Sequence, residues 1–283
     1  MKLISLNIWG GTIYEPLMAF LREHAPTTDV FCFQEVFDSP EREINDGAHL
    51  NIFEELRAAL PDFSGFFEPA QKGLGYEGAI SSSVALGQAL FVKQTLRVIT
   101  HGVLPLFGET NGMTAEEIAA ADYSKFPTNL IHARIASKDR VFTLGALHGI
   151  SQPGEKLDNE PRLEQSRRIV DFISRTEGPH IICGDFNLMP DTESIAMIER
   201  ADAKAGQAGP PSQELRRAGM RNLIKDFHIK ATRNAISHEK WAGYPLQYFA
   251  DYTFVSPEIS VKNFTVPDVP ASDHMPMILE FEI

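Results

Sequence analysis

The chain has 283 residues, of which 43% are hydrophobic and 23% charged, and it carries a formal net charge of −12. This composition is sufficient for a sizeable core and excludes a disordered chain. The acidic excess counts against a protein that binds long nucleic acid mainly by neutralising phosphates, because such proteins carry a basic field. No apolar run approaches the roughly 20 residues that span a bilayer, so we expect no transmembrane segment.

The two cysteines, Cys32 and Cys183, both lie inside apolar runs, which indicates buried, reduced thiols and excludes a disulfide framework. Residues 1–9 are typical of a first strand and lack the apolar region and cleavage site of a secretion signal. We therefore expect a cytoplasmic protein. Nothing in the sequence indicates an obligate protein partner, and no stretch is typical of a linker between domains.

Apolar residues recur with the spacing of strands and helices along most of the chain. Residues 2–8 alternate between apolar and polar side chains, which predicts a first strand. The other predicted elements are, in chain order, a helix over 15–23, a strand over 30–33, a helix over 52–60, strands over 90–92 and 96–103, a strand pair over 130–135 and 141–147, a helix over 161–175, a strand over 180–183, a helix that begins at 190–193, and strands over 252–255, 259–266 and 277–281. Because several strands are joined by short turns, the pattern favours two packed sheets flanked by helices over a doubly wound parallel sheet.

Three segments lack such a pattern. We interpret residues 107–128 as an excursion with a short helix at 115–121, and residues 202–219 as a surface segment. The Gly- and Ser-rich residues 73–87 are interpreted as a loop. This loop could cradle a phosphate, but it has no P-loop signature and is more typical of a mobile segment.

Polar residues stand where the apolar strands end. They are Asn7, Glu35, His148, Asp185, Asn187, Asp251, Asp273 and His274. Each of them alone is typical of a turn or a solvated strand end. Ligands and catalytic groups in layered α/β proteins gather at strand ends, so together these residues predict one oxygen-rich pocket.

The string Gly184-Asp185-Phe186-Asn187 carries the strongest signal of this kind. Its glycine permits an unusual backbone conformation, and the spacing of two residues points Asp185 and Asn187 to one side while Phe186 packs on the other. Together with Ser272-Asp273-His274 near the C-terminus, the string is improbable as accumulated turn chemistry.

These motifs resemble those of the endonuclease/exonuclease/phosphatase superfamily, which has the deoxyribonuclease I-like fold. The matching pieces appear in the family's order and cover residues 5–274: they are Leu6-Asn7-Ile8-Trp9-Gly10, Phe33-Gln34-Glu35-Val36, Leu147-His148, Gly184-Asp185-Phe186-Asn187, Ala250-Asp251-Tyr252 and Ser272-Asp273-His274. The resemblance implies an α/β fold with four layers, an α/β/β/α sandwich of two mixed central β-sheets flanked by helices, formed by residues 1–283 as a single domain. It also implies hydrolysis of a phosphate ester with Mg²⁺ or Mn²⁺ as the cofactor.

The resemblance assigns a role to each motif residue. The implied metal-binding residues are Asn7, Glu35 and Asp273. The implied catalytic residues are His148, Asp185, Asn187, Asp251 and His274. Asp185 would orient and deprotonate the attacking water, Asn187 would hold that water or a phosphate oxygen, and Asp251 would fix the tautomer of His274. Both histidines would stabilise charge that develops on the phosphate oxygens.

The motifs do not decide which phosphate ester is the substrate. Abasic-site nucleases of the superfamily usually have Asn-x-Asp on the first strand, whereas Trp9 stands here, which is more similar to the Asn-x-Trp-Gly of the neutral sphingomyelinase-like branch. The Cys-Asp-Arg signature of inositol polyphosphate 5-phosphatases is missing around Asp251. The leading interpretation is a phosphodiesterase whose substrate is nucleic acid, a small molecule or a phospholipid head group. A phosphomonoesterase of a small phosphorylated metabolite and a non-catalytic metal-binding module of the same fold are the alternatives.

Residues 231–249 offer a candidate for substrate recognition. Arg233 and Asn234 are predicted to bind substrate, and the aromatic residues that follow them could contact a base or an acyl group. These aromatic residues are Trp241, Tyr244, Tyr248 and Phe249. The alternative, which we favour for the aromatic residues, is that they cover the sheet edge before Asp251. A serine hydrolase has little support, because no Gly-x-Ser-x-Gly motif occurs.

Overall fold

The strands form two mixed β-sheets in a computed structural model, which describes residues 1–76, 78–108, 126–138, 140–201, 219–240 and 247–283. In chain order the described strands are β1 (Lys2–Asn7), β2 (Val30–Asp38), β3 (Ile44–Asn45), β4 (Ala48–His49), β5 (Phe63–Lys72), β6 (Leu74–Gly75), β7 (Gly78–Ala79), β8 (Ala85–Lys93), β9 (Arg97–Phe107), β10 (Thr128–Ser137), β11 (Arg140–His148), β12 (His180–Asp185), β13 (Arg221–Asn222), β14 (Asp251–Val255), β15 (Ser260–Thr265) and β16 (Met277–Glu282). The first sheet has the order β15-β16-β1-β2-β8-β5 and the second the order β13-β14-β12-β11-β10-β9.

The helices lie outside the two sheets. The described α-helices are α1 (Tyr14–His24), α2 (Ile52–Ala59), α3 (Glu160–Arg175), α4 (Glu193–Glu199), α5 (Leu223–Asp226) and α6 (Ala235–Lys240), with 3-10 turns at Trp9–Gly11 and Ala25–Thr27. Within the described part of the chain, none of these helices is long and apolar enough to cross a membrane.

Side chains on the two faces of the first sheet belong to two different apolar cores, one on each side of the sheet. Leu3 and Cys32 belong to the core between the sheets, while their neighbours Ile4 and Phe33 belong to a second core that includes Leu17 of α1. Successive strand residues point to opposite faces, so apolar side chains of β1 and β2 cover both faces of the first sheet. On the other side, α3 covers the second sheet, where Phe172 packs on His132 of β10 and Arg168 donates to the Pro105 carbonyl of β9. The expected α/β/β/α sandwich is confirmed.

The two thiols meet inside this sandwich. Cys32 on β2 and Cys183 on β12 are both buried and free, and the two side chains interact across the interface between the sheets. Burial raises the pKa of the Cys32 thiol well above its ordinary value. These two strands therefore approach each other closely near the end of the sandwich that carries Glu35 and Asp185.

Some predicted boundaries differ from the structure. The second strand does not end before Glu35 but continues through a bulge to Asp38. The strand β5 was not predicted, because Gly65 and Pro69 interrupt its pattern and it lies at a sheet edge, where both residues are tolerated.

The segment interpreted as a loop also contains regular structure. Residues 73–87 include the two-stranded β6–β7 sheet and the beginning of β8. The helix expected at 115–121 lies outside the described residues, as does 202–218 of the expected surface segment.

Candidate active site

Four strands from the two sheets bring polar residues to the same place: β1, β11 and β12 end there, and β2 has its bulge there. Parallel pairing of β1 with β2 brings Asn7 beside Gln34 and close to Glu35, and parallel pairing of β11 with β12 sets His148 opposite Asp185. The strands β1 and β2 contact β12 and β11 across the interface between the sheets. The polar residues that follow these apolar strands therefore converge, two from each sheet.

A chain of hydrogen bonds links five residues, which we call the acid–amide row: Glu35, Asn7, Asp185, Asn187 and Lys156. The Nδ2 atom of Asn7 donates to Glu35 Oε1 at 2.9 Å and to Asp185 Oδ2 at 3.1 Å, while Asn7 Oδ1 accepts from the Trp9 backbone N–H. The backbone N–H of Asn187 donates to Asp185 Oδ1 at 2.9 Å, and Lys156 Nζ donates to Asn187 Oδ1. The row therefore crosses from the first sheet to the second.

The backbone of the row is locally strained. Glu35 sits in the β2 bulge with φ of 53°, and Asn187 has φ of 52°, both in the left-handed region that side-chain-bearing residues rarely adopt. Bulges of this kind re-aim a side chain beside a functional site. Gly184 has φ of 129°, and a Cβ atom there would come within 2.2 Å of the Leu147 carbonyl oxygen. Strain of this kind persists only where the surrounding fold holds it, as at functional sites.

Two histidines face the central carboxylate of the row. His148 Nε2 lies 3.6 Å from Asp185 Oδ2 and 3.7 Å from Glu35 Oε1. His274 Nε2 lies 3.7 Å from the same Asp185 oxygen. On its other side, His274 Nδ1 lies 2.9 and 3.0 Å from the two Asp251 oxygens, so the Asp251 carboxylate fixes the orientation of the ring.

These neighbours set the ionisation of the buried acids. Burial alone would raise the pKa of Asp185, but His274, Lys156 and His148 together hold it below its ordinary value. Burial also opposes ionisation of Glu35, whose pKa is nevertheless lowered by the surrounding positive charge. Both groups are therefore carboxylate anions at neutral pH.

The carboxylates form a group that fits a divalent cation. One ligand atom each from Glu35, His148 and Asp185 lies within 4.8 Å of the other two, and these residues line a cavity. A second such group among the described residues consists of Asp185, Asp251 and His274, all buried. In the first group two carboxylates share one amide donor, and a hard cation such as Mg²⁺ or Mn²⁺ would relieve their mutual repulsion.

Three other predicted residues, Asp273, Arg233 and Asn234, lie outside these two groups of possible metal ligands. Asp273 belongs to neither group; its Oδ2 lies 3.5 Å from Arg233 and 3.8 Å from Lys240 Nζ. Arg233 is buried at the cavity wall and also donates to Ser237 Oγ. Asn234 does not line the cavity: it donates to the Ser272 carbonyl and accepts from backbone N–H groups at the start of α6.

A cavity of about 570 Å³ opens over the acid–amide row. Its wall combines the row, apart from the fully buried Asn7, and both histidines with aromatic rings and cations, among them Trp9, Tyr76, Phe126, Arg233 and Lys240. Lys240 Nζ lies 3.6 Å from the centre of the Trp9 ring. Of the aromatic segment 231–249, Trp241 and Tyr244 lie outside the described residues, while Phe249 packs against the apolar core.

Three functional candidates were missed in the sequence: Tyr76, Lys156 and Lys240. The Tyr76 hydroxyl donates to Glu35 Oε2 at 2.6 Å, although Tyr76 belongs to the segment interpreted as a mobile loop. Lys156 and Lys240 stand in segments without periodic pattern. Only the positive charge itself could have singled them out, and the sequence has 26 lysines and arginines.

The chain belongs to the endonuclease/exonuclease/phosphatase family, because the family model matches residues 4–274. Members of this family hydrolyse phosphate esters. No curated protein matches the sequence significantly.

Solved structures share the fold at low sequence identity. An endonuclease/exonuclease/phosphatase from Bacteroides vulgatus is 18% identical with a TM-score of 0.64, and the alignment covers 100% of this chain and 98% of that one. One from Beutenbergia cavernae is 19% identical with a TM-score of 0.70, covering 100% and 71%. The mannosyl-6-phosphatase of Bacteroides thetaiotaomicron is 16% identical with a TM-score of 0.63, covering both chains completely.

Proposed function

We propose that this protein is a divalent-metal-dependent phosphodiesterase. The observation that carries the proposal is the acid–amide row, which sets Glu35 and Asp185 on either side of Asn7 with two histidines facing Asp185. Ionised carboxylates, amide groups and imidazoles around one cavity are the groups that hydrolysis of a phosphate ester requires.

Glu35 and Asp185 would hold Mg²⁺ or Mn²⁺, while Asn7, whose Nδ2 donates to both carboxylates and whose Oδ1 accepts from the Trp9 backbone N–H, would orient them. Asp273, which lines the same cavity, would contribute through water. The bound cation would neutralise charge on the phosphate and on the leaving oxygen. Asp185, held as an anion by its neighbours, orients a water molecule and accepts its proton as the water oxygen attacks phosphorus in line with the leaving oxygen. The phosphorus–oxygen bond to the leaving group breaks in the same displacement.

The remaining residues act on the charge that develops in the displacement. His148 and His274 donate to non-bridging oxygens, and Asn187 holds the water or one of these oxygens. Asp251 keeps the His274 ring in place, and its negative charge raises the His274 pKa although burial opposes this shift. Arg233 would bind a more distant phosphate oxygen or an anionic part of the substrate.

We also propose that residues 1–283 act as one domain, since both sheets supply members of the acid–amide row. A reducing compartment such as the cytoplasm is supported by the two buried, free thiols in contact across the sheets.

A panel of phosphate esters tests the function, with diesters, monoesters, nucleic acids and choline phospholipids assayed with Mg²⁺ and with Mn²⁺. We expect hydrolysis that EDTA abolishes and either cation restores. D185N and H274A should each lower kcat by at least about 10²-fold, whereas D171N, at an exposed position on α3, should retain full activity. Full activity of chelated enzyme would refute the proposal.

A phosphomonoesterase is the second candidate. It is favoured by the three cations Lys156, Arg233 and Lys240 on the cavity wall, because a monoester carries up to one more negative charge than a diester. The shared fold with a mannosyl-6-phosphatase makes sugar phosphates a sensible class to include. A kcat/KM for mannose 6-phosphate well above that for bis(p-nitrophenyl) phosphate would establish this candidate, and the opposite ranking would exclude it.

A further inference from the structure

Lys156 is a buried lysine that the proposed chemistry leaves without a task. Its side chain is only 4% exposed, and it lines the cavity above the acid–amide row. Lysine is among the residues most rarely buried without a partner, because removing an ammonium group from water is costly. Some feature of the site must therefore favour a cation at this position.

The loop that carries Lys156 is built to hold it there. The Arg162 guanidinium is fully buried below the loop and donates hydrogen bonds to four backbone carbonyls of the loop, those of Ile150, Ser151, Pro153 and Leu157. The Lys156 carbonyl accepts from the Met189 backbone N–H at 2.8 Å, which ties the loop to the segment after Asn187. Lys156 itself has φ of 57°, a conformation that these contacts maintain.

The ammonium group has hydrogen-bonding capacity that the protein does not use. Lys156 Nζ donates to Asn187 Oδ1, and it has no second acceptor among the residues that the structure describes. An ammonium group has three donors, so two N–H groups remain for a ligand in the cavity. Burial lowers the pKa of Lys156 to about 8, while the negative charge of Asp185 opposes the shift, so the group is mostly charged at pH 7.

The order of the row shows where such a ligand would bind. Glu35 lies at one end, Asp185 in the middle and Lys156 at the other end. A phosphoryl group bound over Asp185 would have negatively charged oxygens toward both ends. At one end lies the Glu35 carboxylate, which would hold the divalent cation, and at the other end lies the Lys156 ammonium group.

We propose that Lys156 is a catalytic residue of this site, whose ammonium group donates hydrogen bonds to a non-bridging oxygen of the bound phosphoryl group. This inference rests on the proposed function, since it needs a phosphate ester at the row. Its charge would compensate negative charge on the phosphoryl oxygens during the displacement, and its contact with Asn187 would keep both donors on the same side of the phosphorus.

Binding of inorganic phosphate to the Mg²⁺-loaded protein, measured by calorimetry, tests the contact without turnover. In K156M we expect phosphate affinity to fall at least about 10-fold and kcat/KM for the best ester of the panel to fall at least about 10²-fold. Mg²⁺ affinity should not fall, because a positive charge near Asp185 is removed, and the circular dichroism spectrum should not change. K262M, on an exposed part of β15, is the matched control and should bind phosphate like the wild type.

Amine rescue separates a direct contact from a structural role. K156A should regain activity with methylammonium or ethylammonium, which supply N–H donors, and should not respond to tetramethylammonium, which has none. Unchanged phosphate affinity in a folded K156M, or an absence of amine rescue in a folded K156A, would overturn the assignment. A wild-type enzyme inactive on the whole panel would instead refute the proposed function.

Discussion

At the scale of single residues, the site depends on side chains that hold the reactive groups rather than react themselves. Tyr76 and Asp251 are two such residues: Tyr76 hydrogen-bonds to Glu35 of the row, and Asp251 to His274, which faces the row. Partners of this kind restrict the orientation of a ligand or a base, so their loss lowers function while the fold remains intact. Each of them leads to a separate prediction.

Removing the Tyr76 hydroxyl should weaken the cation site. Y76F loses the 2.6 Å hydrogen bond to Glu35 Oε2 and keeps the ring. We expect the Mn²⁺ affinity or the activity to fall about 10-fold to 100-fold, as measured by titration of activity with Mn²⁺. Y14F, whose ring stacks on His49, is the control and should titrate like the wild type. Equal Mn²⁺ titrations of Y76F and Y14F would show that Tyr76 does not support the site.

Replacing the partner of His274 should lower turnover. D251N preserves the shape of the side chain but removes the negative charge 2.9 Å from His274 Nδ1 and presents either an N–H or an oxygen to the ring. Because the favoured tautomer and the charged form of His274 lose their support, we expect kcat to fall at least about 10²-fold. Steady-state kinetics measure this fall, and a thermal melt shows whether the variant is folded. A folded D251N with the wild-type kcat would contradict the role of Asp251.

At the scale of elements, the pairing of β11 with β12 depends on a glycine. Gly184 stands opposite Leu147 in this parallel pair, and an added Cβ would come within 2.2 Å of the Leu147 carbonyl oxygen. Its φ of 129° is also unfavourable for any residue with a side chain. The two strands that carry His148 and Asp185 can therefore approach correctly only with glycine at this position.

G184A should accordingly lower the free energy of unfolding by at least about 2 kcal/mol, because backbone atoms cannot move aside as a flexible side chain could. Urea denaturation measures this change. G154A is the matched control, since a Cβ at Gly154 meets no atom within 4 Å, and its effect should stay within about 1 kcal/mol. Similar stabilities of G184A and G154A would disprove the steric argument.

At the scale of the whole molecule, stability should depend on pH through His180. This residue begins β12 and is fully buried. Burial lowers its pKa to about 4. Below pH ~6.5 the unfolded chain binds a proton at this ring that the folded protein does not bind until about pH 4, so stability is lost as the pH falls.

Between pH ~6.5 and about pH 4, His180 should lower the free energy of unfolding by about 1.4 kcal/mol for each pH unit that the pH falls. Above pH ~6.5 this effect should be absent. Urea denaturation of the wild type and of H180L at pH 7, 6 and 5 isolates the effect, because all other titrating groups are common to both proteins. We expect the stability of H180L relative to the wild type to increase at each step. A constant difference between the two proteins would show that His180 does not titrate abnormally.

The sequence was sufficient for the layered fold, because the apolar runs and the strand-end motifs are local signals. Asn7, Glu35, His148 and Asp185 follow such strands, and parallel pairing brings strand ends together without further information. Tyr76 could not be predicted, since its contact with Glu35 joins residues 41 positions apart through a short hairpin. Lys156 likewise reaches Asn187 from an irregular loop whose shape depends on the buried Arg162.

The bridging position of Asn7 has a thermodynamic consequence. A divalent cation bound by both Glu35 and Asp185 would link the two sheets, since Glu35 belongs to the first sheet and Asp185 to the second. Any ligand that binds only the folded form shifts the unfolding equilibrium in proportion to the logarithm of its concentration above its dissociation constant. Occupancy of the cation site should therefore raise the melting temperature of the entire protein, because both sheets supply a ligand of the cation.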